Sequence, residues 1–310
     1  MSTFSAYGMG PQGFLVNRPL NDYEREHRFN IKKPASDHVQ YDLSLIKLNS
    51  TFVECVDKWY SMRGFVAMAG AGFGGVICFG LYAVTSSFFR RGGFDVVLAL
   101  LILALVAMLW FATKFCFSDA FTYTHYPIRL NRKSRQVYAF RRDGTVLKAG
   151  WDELYWTIYS ATHFGGGDLN VMGHLLEKDG ITIKESISLS MVSVGAQGPE
   201  KLSAFFEFFR RYMEEGPGPV LDALKPVPLI MLPGIDHERE SWFFGWEYLT
   251  GNAKGFLLVQ ILFQVFFFPI SLFRWIVMRT SKIPQWPQWV EDECAIAPDD
   301  PWVRDGRHRA

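Results

Sequence analysis

The residue types that carry most enzyme chemistry are present but do not stand together. His125, His163, His174 and His237 are isolated, with no HExxH metal pair and no GxSxG nucleophile elbow. Gly165-Gly166-Gly167-Asp168 could cradle a phosphate. It lacks the Lys-Ser/Thr that completes a P-loop and falls between two strand-like stretches, so a mobile hairpin tip is expected there. Asp152 and Glu153 could pair for acid–base work only on a shared face, and adjacent strand residues face opposite sides. Asp236-His237-Glu238-Arg239-Glu240 reads as a solvated turn of mixed charge. Cys55, Cys78, Cys116 and Cys294 have no metal-type spacing, and two of them lie in or at the end of apolar runs, where a thiol acts as a small hydrophobe. These patterns predict a non-enzymatic protein with no metal, no cofactor and no disulfide framework, its soluble mass facing a reducing compartment.

Binding chemistry is better represented. Arg129, Arg132, Lys133, Arg135, Arg141, Arg142 and Lys148 fall within twenty residues that hold one acidic side chain, Asp143. After a membrane helix, such a cluster would hold a domain against anionic lipid at about 1 kcal/mol per basic residue near the surface. The plainer reading is a solvated hairpin that helps to set membrane topology. Gln260, Gln264, Ser271 and Arg274 would lie within about 80° of arc on a helix, a polar stripe on an otherwise apolar segment. Gly70 and Gly74 form one small-xxx-small pair, and Ala67, Ala71 and Gly75 form another, spacings that let membrane helices approach closely. Packing within one hairpin is the simplest use, and homo-oligomerisation or partner docking would use the same pattern. The tail carries Trp286, Trp289 and Trp302 among prolines, with six acidic residues between Glu291 and Asp305; it reads as an extended binding segment.

Two apolar runs must position these features. Residues 64–89 contain no charge and as a helix would be about 39 Å long, more than a hydrocarbon core of about 30 Å requires. Residues 96–112 carry no polar side chain. Helices in a water-soluble core keep a polar face, and these have none, so a membrane hairpin over 64–89 and 96–117 is predicted. The first run starts too far along the chain for a secretory signal. Its short connector puts Arg90 and Arg91 at the tip. Lys58, Arg63, Lys114, Arg129, Arg132 and Lys133 flank the other ends, which predicts a cytoplasmic location for the N-terminal arm and for everything just after residue 117. For residues 255–279 two readings stay open. Length favours a third spanning helix whose stripe packs on the hairpin; Arg279 and Lys282 favour a helix lying in the interface with its stripe toward water.

The remaining stretches give an α+β plan. Residues 1–50 read as an irregular arm with a short extended segment near 39–48, and Asn49-Ser50-Thr51 as the cap of a helix carrying Phe52, Val56 and Tyr60 into the membrane. Six strands are predicted, at 121–130, 136–142, 145–151, 154–159, 169–178 and 181–189, with Asp143-Gly144 and Asp179-Gly180 as turns needing positive φ. An amphipathic helix over 201–215 follows, ended by Gly216-Pro217. Residues 217–254 read as an extended Pro/Trp-rich connector and 280–310 as the tail.

Net charge of +1 argues against a nucleic-acid binder with a wholly basic surface, and 16% aromatic residues with ten Trp fit a membrane–water interface. Short antiparallel strands closed by one amphipathic helix make the plan of a pleckstrin-homology-like barrel. Residues 127–146, PIRLNRKSRQVYAFRRDGTV, and Trp151-Asp152-Glu153-Leu154 resemble bacterial membrane-anchored domains of that type, in which a two-helix hairpin precedes the barrel. The longer layout, with its later Trp-rich apolar segment, resembles a family of Gram-negative inner-membrane proteins often encoded near interbacterial toxin secretion cassettes. That resemblance implies a multi-pass inner-membrane protein with a cytoplasmic domain over 118–216 that binds a protein partner, as an immunity or accessory factor for a toxin of a type VI-like system. The alternatives are a lipid-binding protein using the basic strands, and a transport component using the stripe at Arg274.

Overall fold

The computed structural model describes residues 3–4, 15–91, 95–163, 166–225, 229–250 and 257–306. In chain order the strands are β1 (Thr3–Phe4), β2 (Leu15–Val16), β3 (Arg18–Pro19), β4 (Leu45–Leu48), β5 (Phe52–Cys55), β6 (Ile128–Asn131), β7 (Gln136–Phe140), β8 (Val146–Gly150), β9 (Tyr155–His163), β10 (Gly166–Leu176), β11 (Thr182–Ser193) and β12 (Arg304–Asp305). The helices are α1 (Asp22–Glu26), α2 (Phe65–Arg91), α3 (Val96–Phe117), α4 (Gly198–Glu215), α5 (Pro217–Leu224), α6 (Trp242–Thr250), α7 (Leu257–Thr280) and α8 (Gln288–Glu293). The chain forms two compact units. One comprises Met1–Tyr60, His125–Glu238 and Ile283–Ala310; the other comprises Ser61–Thr124 and Arg239–Lys282.

The first unit is built on two antiparallel sheets, one ordered β3-β11-β10-β9 and the other β12-β4-β5-β6-β7-β8. Five of the six predicted strands lie where alternation put them. The stretch 121–130 is strand only at its end, in β6. Gly144 and Gly180 adopt φ of +85° and +68°, as the two Asp-Gly turns require, and each aspartate caps the N–H groups that follow it. The hairpin of β9 and β10 pairs as far as His163 and Gly166, and residues 164–165 of the glycine-rich tip lie outside the described residues.

Residues 49–60 correct the expected helix. Asn49 is buried and its Oδ1 accepts from the N–H groups of Thr51 and Phe52, which closes a β-hairpin between β4 and β5. An Asn that could cap a helix serves equally well in a tight turn, and pairing with β6 decided between them. β5 and β6 are neighbours, so the entire apolar hairpin is an excursion of the chain between adjacent strands. The sheet domain is therefore discontinuous in sequence and is wider than 118–216.

Helix α4 closes the apolar core, with Pro199 in its first turn and Gly216 after its last. Phe205, Phe206, Phe208 and Phe209 are fully buried, together with Trp151, Trp156, Val53, Leu130, Val171 and Leu189 from both sheets. Each such Phe contributes about 1.5–3 kcal/mol by leaving water. The polar side of α4 is only partly solvated. Glu207 is buried, ion-paired with Arg210 and bonded by the N–H of Ala35, because residues 21–44 fold across the helix and stack Phe29 on Phe206 at 4.3 Å. The arm is thus part of the fold. The connector also departs from an extended chain, since it contains α5 and α6.

In the second unit α2 and α3 pack antiparallel. Their outward side chains are large and apolar, Phe79 being 73% exposed and Leu103 66%. Among the described residues, two helices are long and apolar enough to cross a membrane. Residues 92–94 of the tip, and the side chain of Arg91, lie outside the described residues.

Candidate functional site

The basic strands do not form an open cationic surface. Inward-facing Ile128, Leu130, Val137 and Ala139 enter the core, while Arg129, Asn131 and Tyr138 point to the other face of the sheet, as period-two alternation demands. That face is covered by the chain's own C-terminal segment. Val290 and Cys294 pack on Phe52 and Tyr138 with Trp286 beside them. Arg129 is 1% exposed, its guanidinium 4.2 Å from the Phe52 ring and 4.9 Å from the Trp286 ring. It donates to Glu54 at 3.0 Å and to both carboxylate oxygens of Glu291 at 3.1 and 3.2 Å. These partners hold its pKa above the ordinary arginine value although burial opposes them.

The rest of the cluster is largely matched too. Lys148 donates to Glu293, which also takes the Tyr138 hydroxyl. Arg135 pairs with Asp152 and Glu214, and Arg141 with Glu185. Arg132 lies against Gly216 at the end of α4, and Lys133 is near enough to Asp300 to help lower its pKa, where burial alone would raise it. Arg142 lies in the turn between β7 and β8. The expectation of a lipid-facing patch is corrected for Arg129, which is buried, while Arg135, Arg141 and Lys148 stay part-exposed with their charges on carboxylates of this chain. The tail is corrected with it: it forms α8 and β12, and Ser50 binds Asp300 through its N–H and hydroxyl at 2.8 and 2.6 Å. The signal for this docking was in the sequence, since a run of seven basic residues and a tail of six acidic ones are complementary.

A second assembly escaped sequence reasoning. His174 and Ser186 are register partners on β10 and β11, with Nδ1 and Oγ 2.8 Å apart. His174 Nε2 lies 3.3 Å from Glu24 Oε1, and Glu24 is gripped by both terminal nitrogens of Arg18 and by the Asn21 N–H of its own capping box. Burial would raise the Glu24 pKa, but these donors lower it to about 2; burial keeps His174 neutral by lowering its own. Serine, imidazole and carboxylate in series is the order of an acyl-transfer triad. Here Arg18 already neutralises the carboxylate, and the assembly fastens α1 to β3 and β10. Farther along the same face, Ser190 Oγ lies 3.1 Å from Asp42 Oδ1 and 2.9 Å from Ser44 Oγ, and burial pushes the Asp42 pKa up to about 6 against these hydroxyl donors. Among the described residues no three His, Cys, Asp or Glu side chains converge as metal ligands.

In the helical unit the small residues divide. A Cβ on Gly70 would come within 2.7 Å of the Cys116 backbone, so this glycine sets the α2–α3 approach. Gly74 sits beside Leu109 at ordinary distance. Ala67 is buried against Ala120 and Val277, Ala71 is half-buried, and Gly75 faces open space. Of the polar stripe, Ser271 and Arg274 are buried, Gln264 is half-buried, and the side chain of Gln260 lies outside the described residues. Arg274 makes a two-pronged ion pair with Glu240 at 2.5 and 2.9 Å, under the Tyr248 ring. Arg63 and the N–H of Gly64 both bind Asp119 at 2.7 Å. Asp119 was not singled out by sequence, and Glu240 fell in the run 236–240 read as a solvated turn, a reading its burial on Arg274 corrects; a charged residue in a polar run gives no sign that it will be buried.

Fold and site together define a mixed α+β protein of two antiparallel sheets, in which two apolar helices stand between adjacent strands of the larger one. The chain belongs to DUF6708, a family of unknown function whose profile matches residues 105–298. No curated protein and no solved structure matches it.

Proposed function

We propose that this is a membrane-anchored, non-enzymatic binding protein. The hairpin crosses the inner membrane of a Gram-negative cell, and the sheet domain, with a pleckstrin-homology-like plan, meets a protein partner on the cytoplasmic side. The observation that carries the anchor is the apolar exterior of α2 and α3: side chains such as Phe79 and Leu103 project outward around the hairpin, a surface that water does not tolerate and lipid does. Orientation rests on Lys58, Arg63 and Lys114 against Arg90 and Arg91. Protein binding is supported by β8, which ends the six-stranded sheet at an edge where a partner strand can add. The role as an immunity or accessory factor of a type VI-like toxin system follows from the layout's resemblance to such inner-membrane proteins. Lipid binding through the basic strands is the weaker reading, because four of those charges are matched within the chain, and transport through Arg274 is weaker still, because that charge is closed in an ion pair. Expressing neighbouring genes one at a time tests the proposal. A product lethal alone and harmless alongside this chain supports it; if neighbours are harmless throughout, or kill regardless, the immunity role fails.

A further inference from the structure

We infer that α6 and α7 form a re-entrant pair that seats in lipid and returns to the side it came from, an inference that rests on the membrane reading of the hairpin. Residues 255–279 had two readings, a third spanning helix whose polar stripe packs on the hairpin or an interfacial one with its stripe toward water; the stripe follows the first, but both ends of the α6–α7 pair meet one end of the hairpin. The stripe turns inward. Arg274 and Ser271 are buried, the first on Glu240 and the second bonded by Trp242 Nε1 at 3.3 Å. The outward residues are mostly apolar instead, Phe243 being 67% exposed, Val265 70% and Phe268 49%, with Glu247, one turn from Phe243, the exposed charge of α6. An interfacial amphipathic helix has the opposite arrangement.

Both ends of the pair meet the same end of the hairpin. At the exit, the Lys282 N–H donates to the Thr122 carbonyl and its carbonyl accepts from Thr124, each at 2.8 Å. At the entry, Arg239 donates to the Ser281 carbonyl and Glu240 holds Arg274, while the Arg274 backbone lies so close to Gly64 that a Cβ there would be 2.3 Å away. Residues 63–64 and 119–124 are where the chain enters α2 and leaves α3. From that level α6 climbs away, its Trp246 ring reaching Phe268 at 5.9 Å, and α7 brings the chain back. With nine residues, α6 is about 13 Å long, too short to cross by itself, whereas α7, with 24, is about 36 Å. The covering medium is lipid rather than a protein, because this outward face belongs to the same compact unit as the hairpin's apolar exterior and is lined by the aromatic residues that settle near headgroups.

The test uses the full chain in proteoliposomes, with the native cysteines replaced by alanine. Spin labels at Phe243→Cys and Val265→Cys should collide with oxygen and escape a water-soluble nickel chelate, as labels at Phe79→Cys and Leu103→Cys do. A membrane-impermeant maleimide should modify His237→Cys and Lys282→Cys from one side and Arg90→Cys from the other. Nickel-accessible labels at 243 and 265 with protected ones at 79 and 103 would overturn this inference alone, as would modification of 237 and 282 from opposite sides. Nickel access at all four positions would overturn the membrane reading itself. A thermal-stability scan of each variant identifies any that misfold, and Phe268→Cys replaces a failed label site.

Discussion

Arg129 is counted as a positive charge in the sequence but behaves in the fold as a cross-link. Its guanidinium fills a slot between Phe52 and Trp286 and joins Glu54 of one strand to Glu291 of the tail. Arg129→Ala should cost about 3–5 kcal/mol, seen as a lower melting temperature of the full chain in detergent, because it strands buried carboxylate. Arg129→Lys should recover only part of that, since an ammonium cannot stack on two rings and fork to two carboxylates. Two carboxyl groups make opposite pH predictions. Glu24 has a folded pKa of about 2, so its stabilisation is complete above its ordinary value of 4.5 and is lost as pH falls from there toward 2. Asp42 has a folded pKa of about 6, so the folded state holds its proton longer and stability declines as pH rises from 3.8 through 6. Asp42→Asn should therefore raise stability at pH 7 by roughly 1–3 kcal/mol and flatten this slope in denaturant titrations, whereas Glu24→Gln should destabilise at pH 7. An Asp42→Asn protein less stable than the parent at pH 7 would show that the carboxylate is held ionised.

Among the elements, α2 offers an internal control for small-residue packing. Gly70→Leu should separate α2 from α3 and lower thermal stability, because no side chain fits against Cys116. Gly75→Ala, in open space, should be neutral or gain up to about 1 kcal/mol from helix propensity. If Gly75→Leu instead abolishes cross-linking between copies, the second small-residue face serves a homo-oligomer. Helix α7 makes the case for buried ions. Arg274→Ala should destabilise by about 3–5 kcal/mol by leaving Glu240 alone, and Arg274→Met with Glu240→Leu should restore most of the loss, measured as unfolding in detergent. The elements themselves were readable where periodicity was sustained, as in α2, α3, α4 and the hairpins around Gly144 and Gly180. They were unreadable over 49–60 and in the tail, where short segments take whatever form their partners impose.

At the scale of the molecule, the chain should stay with vesicles through alkaline carbonate and float with liposomes. Release under carbonate would remove the bilayer from the account and leave the exposed faces of α2 and α3 needing a protein cover.

Composition and local order determined the apolar hairpin, the six-strand pattern, the two Asp-Gly turns and the amphipathic closing helix, because each depends on residues within about a dozen positions of one another. What only the tertiary structure decided is which distant charges meet. Arg129 with Glu291, Arg274 with Glu240, and Glu24 with Arg18 and His174 are chosen by strand register and helix packing. Register also made β5 the neighbour of β6 across the whole apolar excursion. A charge in a sequence has a sign but no address, and burial beside a partner turned an expected lipid-facing patch into the glue of the domain.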